Sequence, residues 1–442
     1  MTEKQKEKAL SSRVIEAGGR GAAFLQNASL RVLIDDIGGM TPELSCVQEN
    51  RQINAHYIPW FRANSPAHFN DEEHGGFWRS SLLYNMAGSF PCAPNFGPGM
   101  IIDGVKMPPF GWTANLPWKF IKSGTDNVSG GVWNYSEMKA PNPNVALSFK
   151  KIDMVIPGHC VHYSALIIKN SGTKDIEINA GFHNTVGAPF LDAGCRISAC
   201  SKNWTTPPAG GEFDATTRLA LGAEFPALSK APLSYGGKED LTVVSGPIGH
   251  TDFVCGAVPK SSSLSWSAVV NPNLKLAYVC FFTGPAAADP DDIVLYFNDF
   301  LMQYGGRPFT PWAAFEGGSD LSYCLGTANA AAAYCYGLEY SRTAKQVLGS
   351  PATVNIPALR EKTLYYGSLF GIYENNILDG GIVGVDGEEN SLVCKSTAES
   401  WKFNADCAFK IIRTIRKREI TQTNSTPKPA PPPVEILTTP EK

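Results

Sequence analysis

The chain predicts a mainly β protein built around one large antiparallel sandwich, and three observations lead there. Charged residues are only 18% of the 442, while Gly (42) and Pro (32) are abundant, a composition of loop-rich sheets rather than helical bundles. Period-two alternation recurs along the chain, and turn residues such as "GG", "PG" and "NSGTKD" punctuate the extended runs. No internal repeat or linker-like interruption divides it. The reading is a polar segment over 1–24, one β domain over 25–420, and a Pro-rich, disordered tail over 421–442.

The strand order follows from the pattern. In "NASLRVLIDDIGGMTPELS", Leu30, Val32 and Ile34 alternate with Arg31 and Asp35, then Gly38-Gly39 turns the chain into a second strand. Residues 51–118 are dense in Trp, Phe, Pro, Asn and Gly without helical period, as expected of long ordered loops over a sheet face. From 145 to 184 the strand rhythm returns, with "NSGTKD" closing a hairpin-like unit, and it continues through "LSWSAVVNPNLKLAYVCFFTG". Helices are expected at "DDIVLYFNDFLMQYGG", led by Asp291 and Asp292, and at "TAESWKFNADCAFKIIRTIRKRE", where Trp401, Ala405, Ala408 and Ile412 share a face.

Charge and cysteine usage narrow the function. A net charge of −3 without a basic patch gives no footprint for nucleic acid or an anionic membrane. The polar start lacks an apolar h-region, and no run has the 18 or so apolar residues of a spanning helix. The 11 cysteines contain no CxxC, and Cys255 and Cys280 lie in apolar runs, so buried free thiols in a reducing, cytoplasmic setting are expected. Cys195 and Cys200 form only a weak CxxxxC signal, and His159 and His162 are the sole histidine pair with ligand-like spacing. No metal or cofactor is expected, and the oligomeric state is not encoded in any pattern.

One histidine stands out. In "EINAGFHNTVGAPFLDAGCRI", extended backbone puts Ile176, Ile178, Ala180 and Phe182 on one face and Glu177, Asn179, Gly181 and His183 on the other. His183 then ends a strand beside a Gly- and Pro-bearing turn that carries Phe190 and Asp192. A structural, hydrogen-bonded histidine and a ligand-facing acid both fit that position.

The stretches "FPCAPNFGPGMIIDGVKMPPFGWTANLPW" and "HYSALIIKNSGTKDIEINAGFHN", after the earlier "GG" and "PELS", resemble the aldose 1-epimerase-like group of the galactose mutarotase superfamily. The resemblance runs from about Leu30 to Ser341. It implies a supersandwich with sugar bound on a concave sheet face, a small carbohydrate as partner, and interconversion of anomers by acid/base ring opening. In that mechanism a carboxylate takes the anomeric hydroxyl proton while a histidine protonates the ring oxygen, and His183 falls at the acid position.

The resemblance also marks departures. Phe110 stands where relatives usually have a sugar-contacting His, and an aromatic can stack on a sugar but not donate a hydrogen bond. The arginine expected near "PNFGPG" is missing, with Arg79 shortly before it as substitute. Ala328, in "GTAN", occupies the position of the general-base Glu. Three readings follow: a base supplied from elsewhere, a sugar-binding relative without turnover, or an altered copy in which Ala replaces Glu; hydrolysis or elimination on the same scaffold is a further alternative. Glu316 and Glu339 are the nearest glutamates in sequence. Candidate sugar contacts are His74, Arg79, Asn95, Phe110, Asn115, Trp118, Asp192 and the Ala328 position, with Trp78, Trp112 and Trp118 as a possible platform against the simpler reading of core aromatics.

Overall fold

The computed structural model describes residues 9–16, 19–48, 51–63, 81–307, 312 and 322–421, and antiparallel sheets dominate it. An eight-stranded sheet runs Arg196–Ala199, Leu264–Asn271, Leu276–Thr283, Glu361–Ile372, Val161–Asn170, Leu147–Val155, Val132–Lys139, Lys119–Thr125 from edge to edge. Its central strands are almost continuous apolar runs, "VHYSALIIKN" and "LAYVCFFT", because both faces are covered. Leu166 and Ile168 join the core shared with the second large sheet, whereas Ala165 and Ile167 pack beneath Ile412 and Ile415 of the helix Lys410–Thr421.

The second large sheet has seven strands. In chain order they are β1 (Ser89–Cys92), β2 (Ala180–Val186), β3 (Asn203–Thr205), β4 (Glu224–Phe225), β5 (His250–Ala257), β6 (Phe297–Tyr304) and β7 (Tyr323–Ala331). They lie in the order β4-β3-β5-β6-β7-β2-β1. Its inner face meets the eight-stranded sheet through Phe182, whose ring stacks on Tyr366 at 4.4 Å. Truncating such a buried ring typically costs about 3–5 kcal/mol. Two buried amides at this seam are hydrogen-bonded: Asn184 Nδ2 donates to the Tyr366 hydroxyl at 2.7 Å, and Asn329 Nδ2 donates to Ser267 Oγ at 3.2 Å. A five-stranded sheet, Leu10–Ile15, Gly21–Gln26, Leu30–Asp35, Glu43–Gln48 and Arg51–Asn54, completes the main core. Strand structure therefore begins at Leu10, upstream of the expected boundary at residue 25. The Pro-rich tail from 422 onward lies outside the described residues.

Three sequence expectations are corrected. The segment expected as a helix over 291–306 contains β6 instead, Phe297–Tyr304, buried on both faces between β5 and β7, so its sheet packing overrides a pattern without clear period two. Asp292 does not start a helix; its carboxylate binds Arg413 at 2.6 Å. The helix expected from 397 begins only at Lys410, since Ser400–Asn404 pairs with Ser391–Lys395 in a three-stranded sheet and Ala408 is exposed. The turn at "NSGTKD" exists, but its flanks do not pair with each other. Ile176–Ile178 pairs instead with Val354–Ile356, and Asn170 Nδ2 ties the turn to Lys174 O and Ile356 O at 2.8 and 3.0 Å.

Candidate functional site

The outer face of the seven-stranded sheet carries the site, and strand register builds it. Phe182, Asn184 and Asn329 point into the sandwich, so their neighbours His183 and Ala328 point outward. The pairs Phe182↔Asn329 and Thr185↔Gly326 set His183 opposite Ala328, and His183 also pairs with Phe90. Ala328 in turn pairs with Asp299, and Asp299 with Cys255. Directly opposed residues share a face, so Phe90, His183, Ala328, Asp299 and Cys255 form one row across β1, β2, β7, β6 and β5. Two strand spacings separate the backbones of His183 and Asp299, about 10 Å. The methyl group of Ala328 lies between them in the row.

Aromatic residues hold the histidine. Its ring stacks on Phe90 at 4.7 Å and meets the edge of Phe110 at 4.9 Å, with Phe96 at 6.4 Å. Phe110 reaches it from a strained turn, with φ of 58°, a conformation bulky side chains rarely adopt. The following Gly111, at φ 79°, passes so close to Ala93 O that a Cβ would sit 2.2 Å from it. Part of the His183 side chain still reaches the surface. Burial lowers its pKa from 6.5 to about 4, opposed by its own backbone and reinforced by the positive charge of Arg307. Thr185 Oγ1 lies 3.4 Å from Nδ1.

Asp299 is the carboxyl across from it. It is 1% exposed, and neither oxygen has a conventional hydrogen-bond partner among the described residues. Burial pushes its pKa from 3.8 up to about 7, with the weakly donating Cys255 thiol pulling the other way. Cys92, Cys255 and Cys335 around the row are themselves held as thiols, because burial raises each well above its ordinary value. Thiolate chemistry is therefore not available there at neutral pH. Arg307, 8% exposed and paired with Glu212 at 3.0 Å, brings a guanidinium toward His183.

The remaining sequence candidates separate clearly. Phe110 packs against His183, and Ala328 lies opposite it on the neighbouring strand. Asn95 and Asn115 are spent on the loops around them: Asn95 Nδ2 donates to Pro98 O at 2.8 Å, its Oδ1 accepts from Leu338 N, and Asn115 Nδ2 donates to Pro109 O and Gly111 O, both at 2.7 Å. These two position the turn that carries Phe110 rather than offering side chains to a ligand. Trp112 and Trp118 are core, 2% and 3% exposed, with Trp118 Nε1 donating to Thr113 O at 3.0 Å. The aromatic platform at Trp112 and Trp118 is thus corrected, since both belong to the main core and not to the cluster of Phe90, Phe96, Phe110 and Ala328. Asp192 sits in an exposed turn and accepts from Ala193 N at 2.8 Å, with no hydrogen bond to His183. Glu339 is exposed on the helix Leu338–Ala344. His74, Trp78, Arg79 and Glu316 lie outside the described residues. Sequence reasoning missed Asp299, hidden in the misread helix, and Arg307, for which a lone Arg after "QYGG" was the available signal.

Metal binding finds no support among the described residues, which hold no group of three His, Cys, Asp or Glu side chains fit for an ion. His162 instead bonds Asp153 at 3.0 Å, and His159 bonds the Tyr163 hydroxyl at 2.7 Å. None of the 11 cysteines is in a disulfide. No helix among the described residues is long and apolar enough to cross a membrane. A cavity of about 1030 Å³ opens elsewhere, beside Trp266, Lys202, Asp289 and Arg413. It has no histidine, and its carboxylates are paired, Asp289 with Arg413, Glu388 with Lys402 and Asp386 with Lys395. Volume alone therefore does not make it the chemical site, and the His183–Asp299 row is preferred.

The antiparallel sandwich is a galactose mutarotase-like fold. The chain shares that fold with a galactose mutarotase-like protein from Clostridium acetobutylicum, at a TM-score of 0.53 and 11% identity over 83% of this chain and 99% of the other. It shares it also with a Klebsiella pneumoniae protein provisionally assigned as an aldose 1-epimerase, at 0.55 and 12% over 80% and 79%. No family model and no curated protein sequence matches the chain. Identities this low speak for the fold, and the chemistry rests on the residues themselves.

Proposed function

We propose that the protein acts on a small carbohydrate at its anomeric centre, opening and reclosing the ring by paired proton transfers. One observation carries the reading: His183 and Asp299 stand on one row of the outer face, about 10 Å apart at the backbone, with only the Ala328 methyl between them. A ring opening needs one group to accept the anomeric hydroxyl proton and another to protonate the ring oxygen, placed on opposite sides of the same sugar. Phe110, half-buried beside His183 and backed by the buried Phe90 and Phe96, suits the apolar face of a pyranose. The loss of the expected carboxylate at Ala328 is answered by a carboxyl on the next strand.

The test is anomer exchange. Over a panel of free aldoses, the protein should accelerate exchange between anomeric protons seen by NMR, and His183→Asn should remove the acceleration while weakening binding by about 1–3 kcal/mol. A parent that binds no aldose, or a His183→Asn variant as active as the parent, refutes the reading. The second reading, a sugar-binding protein without turnover, is favoured by Ala328 and is distinguished by saturable binding without faster exchange.

A further inference from the structure

The environments of the two groups bear on which of them carries the proton. Asp299 faces the Cys255 thiol from β5 and the Ala328 methyl from β7, with Cys335 near enough to feel its charge. No cation forms an ion pair with it among the described residues. His183 is boxed by Phe90, Phe96 and Phe110, with Thr185 and Cys92 as polar neighbours. The charge that reaches it is the cation Arg307, whose own partner is Glu212.

An imidazolium and a carboxylate about 10 Å apart attract by roughly 2 kcal/mol at an effective dielectric near 20. Burying each ion without a partner costs several kcal/mol. The neutral pair, imidazole with carboxylic acid, is therefore the lower state of the empty site.

Resting on the anomeric-centre reading above, we propose that Asp299 is the acid and His183 the base, the reverse of the assignment implied by the resemblance. The Asp299 carboxyl gives its proton to the ring oxygen as the C1–O5 bond breaks and its electron pair stays on that oxygen. The anomeric hydroxyl proton passes to the His183 ring nitrogen away from Thr185, and C1=O1 forms. Rotation about C1–C2 and the reverse transfers close the ring as either anomer, restoring both groups. No co-reactant is consumed.

The experiment locates the proton directly. Protein labelled with ¹³C at aspartate carboxyls and ¹⁵N at histidine rings is titrated by NMR, with Asp299→Asn and His183→Asn supplying assignments. Asp299→Glu, which also deletes the aspartate signal, supplies the assignment should the amide variant not fold. At about pH 6, a protonated Asp299 and a neutral His183 are expected, with midpoints near 7 and 4. Any other combination at that pH overturns the proposal. Anomer exchange is measured on the same samples, and Asp299→Asn should slow it about 10²–10⁴-fold. Exchange unchanged in Asp299→Asn also overturns it. A parent without exchange defeats the anomeric reading and with it the catalytic roles, while the spectra still show which group holds the proton, so the two failures are distinguishable.

Discussion

Replacing Asp299 by Asn should make the protein more stable at alkaline pH relative to its parent, and by an amount the structure sets. The carboxyl is fully buried without a cation, and its pKa rises from 3.8 to about 7 because burial penalises the charged form. Between those values the unfolded chain has released a proton that the folded protein retains. Parent stability therefore falls as pH rises through this window, by about 1.4 kcal/mol per unit, and levels off above about pH 7. The full shift corresponds to about 4 kcal/mol, an upper bound, because partial opening of the site would relieve some of the penalty. Asn has no such titration. Its own amide, buried without partners, costs roughly 1–3 kcal/mol at every pH. The diagnostic quantity is consequently the change in the difference between variant and parent, which cancels this offset. Urea unfolding at about pH 4 and about pH 8 should show that difference moving in favour of Asp299→Asn by about 2–4 kcal/mol. His183 titrates in both proteins and largely cancels. A difference that stays flat within about 0.5 kcal/mol would mean that Asp299 ionises normally, and the electrostatic account of the site would fall.

Three further outcomes are expected. His56 is buried, with a ring nitrogen 2.6 Å from Thr41 O, and burial lowers its pKa from 6.5 to about 3; the stability it contributes is complete above pH 6.5 and lost as pH falls toward 3, so His56→Gln should flatten the acid limb of the urea midpoint by about 1.4 kcal/mol per unit. Asp153 is buried with Lys151 at 3.1 Å, His162 at 3.0 Å and Ser164 at 2.9 Å, and these outweigh its burial to bring its pKa down to about 2; Asp153→Asn leaves the Lys151 charge uncompensated and should cost about 3–5 kcal/mol in urea unfolding. Phe110→Ala exposes the edge of the His183 ring, so the His183 midpoint should climb from about 4 toward 6.5 in an NMR titration, and an unmoved midpoint would place the burial elsewhere.

Much of the framework could be read from local pattern. The alternation of Leu30, Val32 and Ile34, the Gly38-Gly39 turn and the run Val161–Asn170 became strands because side-chain period and turn chemistry are properties of neighbours in sequence. The parity that separates Phe182 from His183 held for the same reason, even though the extended segment proved to be two strands broken at Asn179. The segment 291–306 failed because both faces of β6 are buried, which erases the period that tells a strand from a helix.

Sequence by itself determined the strand-rich composition, the outward side of His183 and the absence of a carboxylate at position 328. Only the tertiary structure decided that Asp299 stands beside that missing carboxylate, that Phe110 closes on His183 and that Trp118 is core. The physical reason is register: which residues of β2, β7 and β6 share a row depends on hydrogen bonds between segments distant in the chain, and a one-residue slip would turn Asp299 into the sandwich. Burial, which shifts both groups toward their neutral forms, likewise comes from elements that no local window contains.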